Sequence, residues 1–425
     1  MAKTELNGSE RLPGPTGDET PLGVLVGRLA QADPNRPAIS CAGESVSRAE
    51  LESRTNRLAR AYRDLGVIRD SFVTIGLPNG IGFFEATIAA WKLGATPQPI
   101  SSRLPAAERS AIIDLANPSL VVGVDPSEAP GRTTVPAGFE PDSSLPSDSL
   151  PEVIGASFKA PTSGGSTGRP KLIVATQPAT WEGVVGFATV LRMPQDGAHL
   201  VTGPLYHNGP FMTSVLALLS GNHLVVMPRF DPPVALALIE QHQVDWMYAV
   251  PTMMHRIWRL PEAERTRHDL ASLRVVFHMA APCPIWLKEA WIDWLGAERI
   301  LELYGGTEAQ SFTVITGSGQ LWRTALEMGA RAGILAVSLF APSLSTAVAD
   351  AVARRDGATA DALQARLTPV AKIIVGEMGI AGVKAALDCV GLRGGSPRSP
   401  LLPLGRAEFD RVRQLLRDAE LVLAA

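Results

Sequence analysis

Cysteine is scarce in this chain. Cys41, Cys283 and Cys389 are the only three, they lie far apart, and their odd number leaves no disulfide framework and no CxxC metal site to draw. The seven histidines form no HExxH motif and no close pair, so a metal held by protein ligands alone is not expected. No apolar run reaches the roughly 20 residues that a membrane helix needs. The first residues are polar, with Glu5, Glu10 and Arg11, and lack the apolar core of a secretory signal, which points to a cytoplasmic location. A formal charge of -3 without any lysine- or arginine-rich run gives no reason to expect nucleic acid or an anionic membrane as partner. What remains is an ordinary globular balance, 46% hydrophobic and 19% charged over 425 residues, enough for two or three domains with real cores.

Along the chain, residues 1–21 read as a loose tail, and helical periodicity starts at Leu22 with Leu25 and Leu29 on one face. A Ser47-Arg48-Ala49-Glu50 capping box opens a helix to Leu65, and strand and helix then alternate: Phe72–Leu77, Phe83–Leu93, Thr96–Ile100, Ala106–Ala116, Leu120–Val124. Residues 125–157, rich in Pro, Ser, Asp and Gly, read as a surface connection. A second alternating section runs from a strand at Leu172–Ala175 to one at Ile300–Tyr304. The pattern predicts an α/β fold of two largely parallel layers in series. After a short strand at Gly333–Leu339, everything from Leu344 onward reads as helix.

The most informative stretch is Ser163-Gly164-Gly165-Ser166-Thr167-Gly168-Arg169-Pro170-Lys171. Glycines let backbone N–H groups approach phosphate oxygens, hydroxyls add donors, and the lysine supplies a compact positive charge. The spacing is not that of the Walker loop. Together with Tyr304-Gly305-Gly306-Thr307-Glu308, and with Pro37-Ala38-Ile39, Leu77-Pro78-Asn79, Lys92-Leu93-Gly94-Ala95 and Pro204-Leu205-Tyr206-His207-Asn208-Gly209-Pro210 in order, it resembles the adenylate-forming (AMP-dependent) acid-CoA ligases over residues 22–320. The wording at Pro204 and Tyr304 is most similar to ligases of fatty, bile or steroid acids.

That resemblance implies ATP, Mg²⁺ and CoA as cofactors, a carboxylic acid as substrate, and a role for each matching residue. Ser163, Gly164, Gly165, Ser166, Thr167 and Gly168 would wrap the β- and γ-phosphates while Lys171 neutralises them. Gly164 replaces the family's usual small hydroxyl residue and Leu172 its usual glycine. Thr307 would hydrogen-bond the α-phosphate and Glu308 would hold Mg²⁺. Tyr304 and Gly305 would meet adenine, with Ala280, Ala281 and Pro282 as the opposite wall. His207 falls where acyl pocket and nucleotide meet, and Phe211, Met212, Trp246 and Met253 are candidates for the acyl pocket, although such residues pack cores by default.

After Glu308 the family's ribose-binding aspartate motif, hinge and lysine-bearing C-terminal domain have no counterpart in residues 309–425. Instead, Ala325-Leu326-Glu327-Met328-Gly329-Ala330, Leu367-Thr368-Pro369-Val370, Val383-Lys384-Ala385-Ala386-Leu387 and Pro397-Arg398-Ser399-Pro400 resemble the last quarter of the dihydrodipicolinate synthase and N-acetylneuraminate lyase family, the end of a (β/α)8 barrel. The expected organisation is a chimera: tail 1–21, truncated AMP-binding domain 22–320, barrel-like segment 321–425, with the join at 317–324. Three functions stay open: impaired ATP-dependent acid activation, a nucleotide- or acyl-binding protein without turnover, and a pyruvate-dependent lyase, for which Lys372 and Lys384 are the tail's lysines. The helical tail, with Leu363, Leu367, Val370, Ile373 and Ile374 lacking a barrel to cover, leads to an expectation of a homo-oligomer.

Overall fold

The computed structural model describes residues 19–163, 170–303, 315–327, 330, 332–399 and 401–422. They fall into two compact units, Met1–Gln310 and Ser311–Ala425.

The first unit opens with helix α1 (Leu22–Ala32), the hairpin β1 (Pro37–Cys41) and β2 (Glu44–Ser47), and α2 (Arg48–Asp64). Next come β3 (Phe72–Ile75), α3 (Ile81–Lys92), β4 (Thr96–Pro99), α4 (Ala106–Ala116), β5 (Leu120–Val122), β6 (Thr134–Val135), β7 (Thr162–Ser163) and β8 (Lys171–Leu172). The rest is α5 (Trp181–Val190), β9 (Ala198–Val201), α6 (Asn208–Leu219), β10 (His223–Val226), α7 (Pro232–His242), β11 (Trp246–Ala249), α8 (Pro251–Trp258), α9 (Glu262–Arg265), β12 (Val275–His278), α10 (Ile285–Leu295) and β13 (Ile300–Glu302).

Two parallel sheets carry the unit. The larger has the order β13-β12-β11-β9-β10-β1-β2, parallel except for the β1–β2 hairpin, and the smaller has the order β4-β3-β5-β6. Strands such as β9, β11 and β12 are buried at every position, as parallel strands covered on both faces must be. The expected series arrangement is corrected by β1, which pairs with β10 through Ile39↔Leu224 and so carries the start of the chain into the larger sheet. The 125–157 connection also contributes a strand: β6 extends the smaller sheet and buries Val135.

The capping box forms as expected, with Glu50 N donating to Ser47 Oγ at 3.2 Å and Ser47 N to Glu50 Oε2 at 2.7 Å. One face of α2 is fixed by a buried ion pair, Lys92 Nζ to Glu52 Oε2 at 2.8 Å, which Asn56 supports by donating to Glu52 Oε1 at 2.9 Å. Burial pushes the Lys92 ammonium below its ordinary pKa even with Glu52 beside it. Removing one member of such a pair strands the other charge. Glu52→Ala is therefore expected to cost about 3–4 kcal/mol in chemical denaturation at pH 7; a cost below about 1 kcal/mol, typical of an exposed pair, would contradict the buried-pair account.

The second unit comprises β14 (Ile315–Thr316), α11 (Trp322–Glu327), β15 (Ala332–Gly333), α12 (Pro342–Ala353), α13 (Gly357–Val370), α14 (Gly379–Cys389) and α15 (Arg406–Asp418). The strand expected at Gly333–Leu339 shrinks to β15, and Ala336–Leu339 forms a 3-10 turn. Beyond Pro369 the α13 axis continues through wide π turns, Ala371–Glu377. Leu367, Val370 and Ile374 are fully buried with Trp322, Val348, Val412 and Leu416 in the unit's own core, and Leu363 packs on it. The unit thus covers Leu363, Leu367, Val370 and Ile374 with its own core, while Ile334, Ile380 and Leu402 stay exposed. No helix among the described residues is long and apolar enough to cross a membrane.

Candidate functional site

In an open parallel sheet the ligand-binding crevice lies beyond the carboxyl ends of the strands, where loops and helix N-termini converge. In the first unit, the segments following β9, β11 and β12 surround a cleft of about 420 Å³. His207 and Asn208, at the start of α6, form its polar side. Tyr248, Val250, Met253, Met279 and Ala280 make the remainder mainly apolar.

Backbone constraints shape the cleft. Asn79 straps the segment after β9 in place: its Nδ2 donates to Gly203 O at 2.9 Å and Met227 O at 3.1 Å, and its Oδ1 accepts from Leu205 N at 2.9 Å. Gly203 and Gly209 flank the Tyr248 ring closely: a Cβ on Gly209 would sit 2.8 Å from Tyr248 Oη, and one on Gly203 would sit 3.3 Å from Tyr248 Cε1 and only 2.5 Å from Pro210 Cγ. Thr202 Oγ1 donates to Tyr248 O at 2.5 Å and ties β9 to β11. At the end of β12, Ala280 adopts a φ of 77°, a left-handed conformation that costs an alanine about 1–2 kcal/mol. Such strain recurs where a turn must present its backbone to a ligand.

The polar groups are tuned by burial. His207 is pushed below its ordinary pKa by desolvation, which favours the neutral imidazole, able to donate or accept. Burial pushes the Tyr248 phenol up, so it stays protonated. Behind Asn208 lies Lys159, 2% exposed, whose ammonium donates to Asn208 Oδ1 and sits 5.1 Å from the Phe158 ring centroid. Burial alone brings its pKa down to about 7.

The second feature is the base of the glycine-rich loop. β7 and β8 pair antiparallel, with Ser163 opposite Lys171 and Thr162 opposite Leu172. The ribbon continues outward from the loop as Ile173 N donates to Pro161 O at 2.9 Å and Ala175 N to Lys159 O at 3.0 Å. It is anchored to the smaller sheet by Thr74 Oγ1 donating to Gln98 Oε1 at 2.6 Å and Gln98 Nε2 donating to Thr162 Oγ1 at 3.2 Å. The expected strand Leu172–Ala175 shortens to β8, which starts one residue earlier and ends at Leu172, with Ile173 and Ala175 carrying the hydrogen bonds onward.

The sequence candidates distribute unevenly. His207, Ala280 and Met253 share the cleft, and Ala281 and Pro282 follow Ala280 as exposed residues. Ser163 and Lys171 share the ribbon, with Lys171 exposed. Gly164, Gly165, Ser166, Thr167, Gly168, Tyr304, Gly305, Thr307 and Glu308 lie outside the described residues. Phe211, Met212 and Trp246 do not line the cleft: Phe211 packs edge-on against Phe83 at 6.1 Å, Met212 lies in the same core, and Trp246 stacks on His199 at 4.7 Å. Asn79 and Lys159, which brace the cleft, carry no mark of that role in the sequence: Asn79 lies within the Leu77-Pro78-Asn79 wording, and a lysine between Phe158 and Ala160 gives no local sign of where its ammonium goes.

The family model described as AMP-binding enzyme matches residues 27–337. The chain belongs to the AMP-binding enzyme family. A second model, the dihydrodipicolinate synthetase family, matches residues 286–419. Among relatives, a feruloyl-CoA synthase of Amycolatopsis sp is 31% identical over 298 residues, 68% of this chain and 60% of that protein. A long-chain-fatty-acid–CoA ligase, FadD13 of Mycobacterium tuberculosis, is 26% identical over 275 residues, 60% of this chain and 53% of its own length. The chain therefore spans about 60% or less of these relatives. The fold matches the inhibitor-bound N-terminal domain of FACL13 from Mycobacterium tuberculosis, with a TM-score of 0.57 and 23% identity over 68% of this chain and 76% of that one. ATP-bound MatB from Rhodopseudomonas palustris gives 0.59 and 23%, over 68% and 61%. The α/β architecture is that of an adenylate-forming ligase N-terminal lobe, followed by a helical C-terminal region.

Proposed function

We propose that the cleft holds a carboxylic acid with an apolar body, and that the loop between β7 and β8 holds the triphosphate of ATP, so that the chain activates the acid as its adenylate. The observation that carries this reading is the placement of His207 and Asn208 at one side of an apolar cleft beyond the strand ends. Feruloyl-, coumarate- and fatty-acid–CoA ligases among the relatives, like the fatty, bile or steroid acids of the sequence reading, are named for acids of that description.

The ribbon suits the triphosphate because it brings the two ends of a glycine- and hydroxyl-rich loop together at Ser163 and Lys171. ATP, when bound, supplies the electrophilic phosphorus and the pyrophosphate leaving group. Lys171 and the backbone of 164–168 would neutralise and hold the phosphates, Thr307 would orient the α-phosphate, and Glu308 would hold Mg²⁺. Ala281 and Pro282 would face Tyr304 across adenine. Neutral His207 would orient the acid, and CoA would be the acceptor of a second step.

We also propose the domain limits 22–320 and 321–425, with a join at 317–324 inside the segment that both family models match. A second reading, binding without turnover, draws on the helical unit that follows residue 310. A pyruvate-dependent lyase would need a desolvated imine-forming lysine. Lys372 is exposed, and Lys384 Nζ donates to Gly394 O at 2.6 Å.

MgATP should bind, and Lys171→Ala should weaken that binding by about ten- to hundredfold, the worth of a charge-assisted contact. Calorimetry checks this, and equal affinities for the two proteins would remove the loop from the nucleotide site. Pyrophosphate release dependent on an added acid separates activation from binding alone.

A further inference from the structure

We propose that Lys159, acting through the Asn208 side chain, anchors the carboxylate of the acid in the cleft. The inference rests on the reading of that cleft as a carboxylic-acid site and assigns the group that recognises the acid head.

Lys159 joins the two halves of the candidate site. Its carbonyl belongs to the ribbon below the glycine-rich loop, accepting from Ala175 N at 3.0 Å, while its side chain reaches Asn208 on the cleft wall. An ammonium only donates, so Asn208 must present Oδ1 to it, and the amide's two N–H donors are left on Nδ2. The contact thus sets the Asn208 amide as a donor for an incoming oxygen.

A buried cation is ordinarily paired with an anion. Among the described residues Lys159 has the Asn208 amide and the Phe158 ring, and no carboxylate. An anionic head bound against Asn208 would complete this environment, and the apolar side made by Tyr248, Met253 and Met279 suits the body of an organic acid better than a phosphate. Burial depresses the Lys159 pKa, and among the described residues no charged neighbour contributes and the titratable groups lining the cleft are His207 and Tyr248. Tyr248 is held protonated and the His207 pKa is lowered, so among the described groups at the cleft the one that changes charge between pH 7 and 9 is Lys159. Lys159 is a positioning residue: it acts through Asn208.

The test is calorimetric titration of the full chain at pH 6 to 9 with ferulate and decanoate, each beside its methyl ester. Wild type should bind an acid with an affinity that falls by up to about tenfold per pH unit above 7, as the free ammonium loses its proton. Lys159→Met should weaken the acid about ten- to hundredfold, flatten the pH profile and leave the ester unchanged. Lys159→Arg should keep tight acid binding without the fall above pH 7. Unchanged affinity and pH dependence in Lys159→Met would overturn the proposal. So would a Glu308→Gln variant that alone abolishes the pH dependence, because Lys159 would then pair with a side chain. Gly209→Val, which crowds Tyr248, should remove acid and ester together. If it removes neither, or if neither acid binds wild type, the cleft reading itself falls.

Discussion

Acidification from pH 6.5 to 3 should destabilise the first unit by about 4 kcal/mol through His199 alone. This ring is fully buried in β9, stacked on Trp246 at 4.7 Å, and neither nitrogen has a hydrogen-bond partner among the described residues. Burial lowers its pKa to about 3, against an ordinary 6.5. Well above pH 6.5 the ring is neutral folded or unfolded and adds nothing to the pH dependence. As the pH falls below 6.5 the unfolded chain takes up a proton that the folded one refuses down to about pH 3, so stability present above 6.5 is lost through that window. His223, brought to about 4 by burial and by His242 and Arg36, adds a loss of the same sign. Denaturation followed by tryptophan fluorescence reports mainly on this unit, because every tryptophan but Trp322 lies in it. Wild type should be several kcal/mol less stable at pH 4 than at pH 7.5, and His199→Phe, which keeps a ring on Trp246 without the titrating nitrogens, should remove most of that slope. An unaltered slope in His199→Phe would place the acid sensitivity elsewhere.

The same residue marks where sequence reading succeeded and where it stopped. His199 stands at the start of an apolar run, and the run was legible as a strand because parallel strands covered on both faces read as unbroken hydrophobic segments. The histidine's burial was not legible, because it depends on Trp246, which is 47 residues on and comes alongside only once β9 and β11 pair. The Ser47–Glu50 capping box is local and was readable. The β1–β2 hairpin was seen only as motif wording around Pro37, since its reason to be a strand is Leu224 on β10. Phe211 and Trp246 illustrate the converse: their size suggested a pocket, and the core claimed them. Lys159 gave no signal, because a lysine's stem is apolar enough to cross a packed layer and its ammonium declares itself only where it ends.

Complete acyl-CoA synthesis by this chain is expected to be negligible even where adenylation persists. The ligase resemblance implies a C-terminal domain that moves after adenylation to guide the CoA thiol. In this chain, residues 311–425 instead form a compact helical unit with its own Trp322–Leu416 core, and the dihydrodipicolinate synthetase model matches through residue 419. Lys384 is engaged with Gly394 and Lys372 is exposed, so neither stands in a desolvated pocket suited to reactive chemistry. If the helical unit offers no guided path, the thiol meets the acyl carbonyl by diffusion, and the positioning contribution, up to about 7–11 kcal/mol of barrier, is largely lost. A thioester assay with CoA, MgATP and aromatic, fatty and steroid acids should give a rate several orders of magnitude below a typical turnover of about 10 per second, while acid-dependent pyrophosphate release remains measurable. Thioester formation near that typical rate, abolished by Glu308→Ala, would mean that the helical unit itself guides the thiol.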